Sequence, residues 1–267
     1  MPPSDTPSTA DTASDNLAED HGTLVITGGS RGIGAACARL AARRGYDVAI
    51  LFAKDEAAAE AVVADCNAAG VHALAVQGDV SDPNHVTKLF KTAAEDLGPV
   101  RALINNAGIT APQGPFESYT VDRMQRVFAT NIMGAFLTAQ EAVRHMAKRN
   151  GGQGGAIVNV SSASARLGSP NEYIDYAASK GAMDTMTIGM AKELAGEGIR
   201  VNAVRPGIID TEIHALSGQP DRADELAPVL PMGRAGSAEE VAEPILWLLS
   251  DEASYMSGAL LDIAGAR

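Results

Sequence analysis

Residues 24–34 read LVITGGSRGIG. The apolar and β-branched start predicts a buried strand, and the glycines that follow allow a tight turn and close approach of the backbone to a ligand. The alanine-rich stretch after residue 34 predicts a helix whose N-terminus offers free N–H groups and the positive end of its dipole to a pyrophosphate. Glycine turns also close ordinary strand–helix units, so the rest of the chain must decide between these interpretations.

Short β-branched or aliphatic runs alternate with longer segments of helical period from residue 24 onward, which is typical of repeated βαβ units. We predict a single doubly wound α/β domain of Rossmann type, with seven mainly parallel strands and helices on both faces. The predicted strands are 24–27, 47–52, 72–77, 102–105, 156–160, 200–205 and 259–263. The predicted helices are 32–44, 55–69, 83–97, 120–149, 173–196 and 238–249.

The charge of the chain excludes some classes of partner. Its 267 residues include 33 acidic and 21 basic side chains, a net charge of -12, which is the wrong sign for nucleic acid or an anionic membrane surface. Residues 1–20 hold five of the acidic side chains and no Lys or Arg. We interpret residues 1–21 as a disordered acidic tail and residues 22–267 as the folded domain.

The few cysteines and histidines argue against a disulfide framework and a metal site. Cys37 and Cys66 form no CxxC motif, and the five histidines show no metal-ligand spacing, so we expect no metal and a reducing, cytoplasmic location. No apolar run approaches the ~20 residues that cross a bilayer.

Several short motifs along the chain form a recognisable series. They are TGGSRGIG (27–34), GDV (78–80), NNAG (105–108), Asn131, SS (161–162), YAASK (176–180) and RPG (205–207). In this order and spacing they resemble the classical short-chain dehydrogenase/reductases, over about residues 22–267. Members similar to 3-oxoacyl-carrier-protein reductase and glucose dehydrogenase share the pattern.

Tyr176 and Lys180 are the central catalytic candidates. They are four residues apart in a predicted helix and share one face, so the ammonium can lower the pKa of the phenol toward neutral pH. Tyr176 would then act as general acid or base while hydride moves to or from a nicotinamide. Ser162, with Ser161 as the alternative, would orient the carbonyl. Tyr173 lacks a lysine four residues on, and we interpret it as a possible wall of the substrate pocket.

The resemblance implies roles for further residues. Asn131 would hold a water linked to Lys180 and complete a proton relay. Asp79 and Val80 would contact the adenine, although Asp also favours turns. The cofactor-binding residues implied together are Gly28, Ser30, Arg31, Gly32, Ile33, Gly34, Lys54, Asp79, Val80, Asn106, Ala107, Gly108, Tyr176, Lys180, Pro206, Gly207, Ile209 and Thr211, with Asn105 beside them. Arg205 receives no role.

The end of the second strand bears on the choice of cofactor. A carboxylate there would bind a ribose 2'-hydroxyl and repel a 2'-phosphate. The strand ends instead at Leu51–Lys54, and Lys54 and Arg31 could both reach a phosphate. NADPH is therefore favoured over NADH, with Asp55 and Glu56 as the counter-evidence.

The sequence thus predicts an NADPH-dependent oxidoreductase that reduces a ketone or aldehyde reversibly, with a substrate lid at about 208–230. One alternative is an NAD-dependent sugar, steroid or dihydrodiol dehydrogenase that works oxidatively. Another is a non-catalytic dinucleotide sensor on the same fold. The resemblance further implies a small-molecule substrate and a homotetramer or homodimer, built through helices 120–149 and 173–196 and the C-terminal strand.

Overall fold

One seven-stranded sheet organises the computed structural model, which describes residues 21–216 and 218–267. Its strands are β1 (Thr23–Thr27), β2 (Asp47–Phe52), β3 (Ala73–Gln77), β4 (Val100–Asn105), β5 (Gly155–Val160), β6 (Ile199–Pro206) and β7 (Leu260–Ile263). Every neighbouring pair is parallel, in the order β3-β2-β1-β4-β5-β6-β7. The predicted fold class is confirmed, and the sheet is wholly parallel.

Helices cover both faces of the sheet. They are α1 (Gly32–Arg43), α2 (Glu56–Ala68), α3 (Pro83–Asp96), α4 (Val121–Phe128), α5 (Ala135–Met146), α6 (Ser164–Leu167), α7 (Ile174–Leu194), α8 (Ile213–Leu216), α9 (Arg222–Leu226) and α10 (Ala238–Leu249). One core contains the buried faces of α1, α2 and α10, and a second contains those of α3, α5 and α7. Strands buried on both sides explain the continuous apolar runs in the sequence.

The strand order reverses between β1 and β4, which lie side by side at the centre of the sheet. The chain leaves these two strands toward opposite faces, so a crevice forms at their carboxyl ends. This is the edge of the sheet where the glycine turn after β1 and the segment after β4 meet.

The observed strands begin and end within two residues of the predicted limits. The single predicted helix 120–149 is wrong in its middle, because a π-helical turn at Ala129–Gly134 separates α4 from α5. The turn contains Asn131, whose buried amide bonds to a neighbouring loop, and such insertions into helices often lie at functional sites. The helix also ends earlier than predicted, at Met146.

Most of the predicted acidic tail, residues 1–20, lies outside the described residues. His21 stacks on Tyr46 with 4.9 Å between ring centroids, so the end of that segment packs against the domain.

Cys37 and Cys66 are free and buried, and burial raises the pKa of Cys66 to about 11. Within the described ranges, no helix is long and apolar enough to span a membrane, and no cluster of metal-ligating side chains occurs.

Candidate active site

A cavity of about 690 Å³ lies at the carboxyl ends of the central strands. Its walls come from the segments after β1, β2, β3, β4, β5 and β6, from the first turns of α7, and from the segment around α8 and α9. The cavity therefore combines the glycine turn, the YAASK segment and the predicted lid in one continuous space.

The floor of the cavity near β1 is shaped to receive a phosphate. Gly28 has a φ of +65° and Gly32 a φ of +51°, conformations that side chains other than glycine rarely adopt. A Cβ on Gly34 would lie 2.2 Å from the carbonyl oxygen of Gly28, so the helix packs directly on the turn.

The N-terminus of α1 is also left open to a ligand. Asp55, Asp82 and Ser237 cap α2, α3 and α10 with their side chains, whereas Arg31 in the corresponding place on α1 makes no such bond among the described residues. The first N–H groups of α1 thus remain free to bind an anion such as the pyrophosphate of a dinucleotide.

Thr27 and Asn106 hold the turn in place. The backbone N–H groups of Asn106 and Ala107 both donate to the Thr27 hydroxyl at 3.0 Å. The Asn106 amide donates to the carbonyls of Thr27 and Gly28, also at 3.0 Å. The segments after β1 and β4 therefore form one rigid unit.

Tyr176 lies near the start of α7 and faces the cavity beside Ser162. Ser162 Oγ accepts a hydrogen bond from the Ser164 N–H at 3.1 Å, and it also forms a side-chain hydrogen bond with Tyr176. Ser161 differs, since its hydroxyl donates to the Lys180 carbonyl at 3.1 Å. The geometry supports Ser162 rather than Ser161 as the partner of Tyr176.

Lys180 is buried, and its Nζ donates to the Val160 carbonyl at 2.7 Å, which leaves two of its three protons for other partners. Nζ lies 5.6 Å from the centroid of the Tyr176 ring. Burial lowers the pKa of Lys180 to about 8, against the opposing effect of the Asp184 carboxylate.

The pKa of Tyr176 differs from the sequence-based expectation. Burial raises it above its ordinary value, the Ser162 hydrogen bond lowers it in part, and Tyr173 raises it further. We expected Lys180 to lower the pKa of this phenol, but in the folded protein burial has the largest effect and raises it. Tyr176 is therefore a protonated phenol near neutral pH, as a general acid requires.

Asn131 is fully buried in the π-helical turn. Its Oδ1 accepts from the Ile109 N–H at 2.8 Å, and its Nδ2 donates to the Ile109 carbonyl at 2.9 Å and the Ser179 hydroxyl at 3.0 Å. Its amide thus ties the segment after β4 to α7, directly behind the cavity. A water held between Asn131 and Lys180 stays a prediction.

Most predicted site residues line the cavity together. These are Gly28, Ser30, Arg31, Gly32, Ile33, Asp79, Val80, Asn106, Ala107, Gly108, Ser162, Tyr176, Lys180, Pro206, Gly207, Ile209 and Thr211. Gly34, Lys54 and Asn131 are not among the described lining residues. Gly34 is buried beneath the turn, and Lys54 is exposed beyond the end of β2.

Two more candidates have structural bonds of their own. Asn105, expected on the cavity floor, is buried with its amide donating to the Ala135 carbonyl at 2.9 Å. Asp79 Oδ1 accepts from the N–H and hydroxyl of Ser81, as a turn aspartate does. A contact from Asp79 to a cofactor stays a prediction.

Sequence reasoning missed a polar network at the substrate side of the cavity. The Tyr173 hydroxyl donates to Gln219 Oε1 at 2.9 Å and accepts from Gln113 Nε2 at 3.0 Å. Arg222 is buried, donates to Glu172 at 2.8 Å and to Gln219 at 2.9 Å, and places its guanidinium 5.4 Å from the Tyr173 ring centroid. The network joins three segments, around Gln113, Tyr173 and Gln219, that are far apart in sequence, so no local pattern indicates it.

A buried ion pair fixes the start of α7 and was also not predicted. Arg123 of α4 donates from Nε and Nη2 to the two carboxylate oxygens of Asp175, at 2.7 and 3.0 Å. Asp175 immediately precedes Tyr176, and its side chain is 1% exposed. Since a two-pronged pair of this kind is directional, it holds the helix that carries Tyr176.

Comparison with known proteins identifies the family of the chain. The profile of a family described as enoyl-(acyl carrier protein) reductase matches residues 28–265. An uncharacterised oxidoreductase, YgfF of Escherichia coli, is 52% identical over 91% of this chain and 98% of its own length. L-rhamnose 1-dehydrogenase (NAD(P)(+)) of a Sphingomonas species is 39% identical over 91% of this chain and 94% of its own.

A solved structure is also similar. The short chain dehydrogenase of Burkholderia cenocepacia in complex with NADP superposes with a TM-score of 0.83 at 34% identity, covering 93% of this chain and 98% of the other. The chain belongs to the short-chain dehydrogenase/reductase family and is an oxidoreductase of that family.

Proposed function

We propose that this protein is an NADPH-dependent oxidoreductase that reduces a ketone or aldehyde to an alcohol and catalyses the reverse reaction. The observation that carries the proposal is one cavity containing both an uncapped helix N-terminus beside a glycine turn and the Ser162, Tyr176 and Lys180 side chains. The first feature fits a dinucleotide, and the second fits the chemistry of a carbonyl group.

The bound nicotinamide would supply the hydride. Ser162 would donate its hydroxyl proton to the carbonyl oxygen, since its oxygen already accepts from the Ser164 N–H. Tyr176 would protonate the oxygen as negative charge develops there. Lys180 would hold the cofactor ribose through the donors that Val160 leaves free, and its positive charge would stabilise the phenolate that remains.

The protonated state of Tyr176 suits it to act as the general acid in reduction. Because burial raises the pKa of this phenol, its proton is in place at neutral pH. In oxidation the same residue would act as the general base through its phenolate, which the charge of Lys180 would stabilise. The oxidative alternative retains support from the similarity to L-rhamnose 1-dehydrogenase, so both directions must be measured.

The experiment is cofactor oxidation by purified protein across a panel of ketones and aldehydes, with NADPH and NADH in parallel, and cofactor reduction with the matching alcohols. We expect turnover with at least one carbonyl compound, faster with NADPH. Binding of both cofactors without turnover in either direction would contradict the proposal and favour a dinucleotide sensor.

The preference for NADPH rests on the charges at the end of β2. Arg31 lines the cavity, and Lys54 lies just beyond it. Asp55, the main counter-evidence in the sequence, uses Oδ1 to accept from the Ala58 N–H and caps α2. Its carboxylate is thus directed to the helix rather than held free for a ribose hydroxyl.

Replacing Arg31 by Ser is expected to raise the Kd of NADPH by about tenfold or more and to leave that of NADH within about twofold. The reason is the loss of a charge-assisted bond to the 2'-phosphate, worth about 1.5–3 kcal/mol. Nucleotide fluorescence titration measures both constants. Arg43→Ser, the same change at an exposed position at the end of α1, is the control, and an equal loss for both cofactors in the Arg31 variant would refute the preference.

We further propose that residues 208–230, which contain α8 and α9, form the substrate lid. The Tyr173–Gln219 and Arg222–Glu172 bonds tie this segment to the start of α7, and Gln113 extends the connection to the segment after β4. The Tyr173 hydroxyl therefore connects three parts of the cavity wall: the start of α7, the segment after β4 and the proposed lid. Tyr173 would hold the lid closed rather than contact the reacting carbonyl.

Tyr173→Phe is expected to raise KM for the carbonyl substrate by about tenfold and to speed hydrogen exchange of residues 218–230. The variant loses both hydrogen bonds of the hydroxyl, each worth about 1 kcal/mol, while the pH profile of kcat stays unchanged. Tyr119→Phe is a matched control, because the Tyr119 hydroxyl bonds Glu172 and Ile174 at the same helix start without touching the lid. Equal lid exchange in the two variants would contradict the proposal.

A homotetramer or homodimer is supported by an exposed apolar surface on the predicted helices. Met133, Phe136 and Ile188 are 56%, 43% and 38% exposed, on the π-helical turn, α5 and α7. Large apolar side chains exposed on helices are often found at subunit interfaces. The two free, buried cysteines support the cytoplasmic location that we propose.

A further inference from the structure

A buried carboxylate lies one turn beyond Lys180 on the same helix. Asp184 is four residues from Lys180, so the two side chains share a face of α7 with Cβ atoms about 6 Å apart. Arg205 of β6 donates to Asp184 Oδ2 from Nε at 3.0 Å and from Nη2 at 2.7 Å. The Arg205 and Asp184 side chains are only 16% and 10% exposed, so water screens their charges poorly.

Arg205 does not satisfy Asp184 completely. Asp184 Oδ1 is buried and has no hydrogen-bond partner among the described residues. Two other charged groups lie near the pair: Asp262 of β7, 3.9 Å from Arg205 Nη1, and Arg166 of α6, 3.4 Å from Asp262. Both are more than 40% exposed, so solvent weakens their effect. The negative charge of Asp184 also acts on Lys180, whose pKa it raises against the effect of burial.

The groups that face Lys180 from other elements are neutral. Val160 at the end of β5 contributes a carbonyl, and Asn131 of the π-helical turn and Lys180 both lie close to Gly108. On α7 itself the titratable neighbours of Lys180 are Tyr176 and Asp184. The Asp184–Arg205 pair is therefore the main charged influence on Lys180 in the described part of the chain.

We propose that Arg205 is a positioning residue for the reaction, which by binding Asp184 limits how strongly that carboxylate stabilises the ammonium of Lys180. Asp184 keeps the buried lysine charged, and Arg205 holds the carboxylate in place and offsets part of its charge. The proposal rests on the function proposed above for Lys180. Arg205, to which the sequence motifs assign no role, immediately precedes Pro206 and Gly207 in the cavity wall. The proposal gives it a role in the reaction.

The test is the pH dependence of Lys180 acetylation by a limiting amount of acetic anhydride, measured by peptide mass spectrometry on the protein without added cofactor. Asp184→Asn keeps an acceptor for Arg205 but removes the negative charge, so we expect the pKa of Lys180 to fall by about one unit. Arg205→Met leaves Asp184 uncompensated, so we expect the pKa to rise. Lys192, exposed on the same helix, is the internal control and should not change.

The alkaline limb of kcat against pH should move in the same direction as the labelling curve in each variant. Arg205→Lys, which keeps the charge, should restore most of the wild-type value. Because removing one partner of a buried pair destabilises a fold, thermal unfolding is measured for each variant. The double variant D184N/R205M lacks both charges and provides a further comparison. We expect its Lys180 pKa to lie between those of the two single variants.

A shift in the same direction for both single variants, or no shift in either, would overturn the proposal. Labelling requires no turnover, so this failure is distinguishable from a failure of the proposed enzyme activity. A purely structural role for the pair would lower the unfolding temperature without moving the titration of Lys180 in opposite directions.

Discussion

Tyr176→Phe is expected to lower kcat for carbonyl reduction by about 10³-fold, while the Kd of NADPH stays within about twofold. The phenylalanine keeps the ring that lines the cavity and removes only the proton donor, and general acid catalysis contributes about 10²–10⁴-fold. Steady-state kinetics and a fluorescence titration of NADPH measure the two effects separately.

Tyr46→Phe provides the matched control for this change. Tyr46 is buried and lies just before β2, at the opposite edge of the sheet from the cavity. Its variant should keep the wild-type kcat. A Tyr176 variant that retains more than about a tenth of the wild-type turnover would exclude Tyr176 as the proton donor.

Gly34→Ala is expected to weaken NADPH binding by about thirtyfold, which corresponds to about 2 kcal/mol. The added Cβ would lie 2.2 Å from the Gly28 carbonyl oxygen and 2.7 Å from the Asn106 amide nitrogen. Since the Asn106 amide holds the carbonyls of Thr27 and Gly28, the clash must displace the turn that forms the phosphate site. Overpacking should also lower the free energy of unfolding by about 1–3 kcal/mol.

Gly196→Ala is the matched control for the glycine change. Gly196 is exposed, lies in the 3₁₀ turn after α7, and would place a new Cβ with no atom within 4 Å. This variant should bind NADPH as the wild type does and should be equally stable or slightly more stable. Unchanged NADPH affinity in Gly34→Ala would contradict the close packing of α1 on the turn.

The strands, the glycine turn and the Tyr176–Lys180 pair could be predicted because their signals are local. β-branched runs bounded by turn residues define the strands, and a spacing of four places Tyr176 and Lys180 on one helical face. The seven strands then bring the carboxyl ends of β1, β4 and β5 together, whatever their distance along the chain.

The π-helical turn and the partner of Lys180 could not be predicted, because each depends on contacts between distant segments. Asn131 is held by Ile109, which lies 22 residues away. The hydrophobic periodicity within residues 120–149 cannot predict a bond to a residue outside that segment. Lys180 is turned to the Val160 carbonyl, which only the packing of α7 on the sheet reveals. The expected net lowering of the Tyr176 pKa was wrong because burial, which local spacing does not reveal, raises it.

The partner of Arg205 and the hydrogen bonds of the lid could not be predicted from a sequence pattern either. Arg205 pairs with Asp184 across 21 residues, and Tyr173 with Gln219 across 46. Composition indicated a polar excursion at residues 208–230, whereas its short helices and the buried Arg222 emerge only from the folded arrangement.

The most direct test of hydride transfer to a carbonyl is a labelling experiment with NADPH that carries deuterium at both C4 positions of the nicotinamide. The enzyme is incubated with this cofactor and the best substrate from the carbonyl panel, and the alcohol is examined by mass spectrometry. The account predicts one deuterium on the former carbonyl carbon, formed by the wild type and not by Tyr176→Phe. An alcohol product without deuterium, or no alcohol from any carbonyl compound while NADPH is bound, would contradict it.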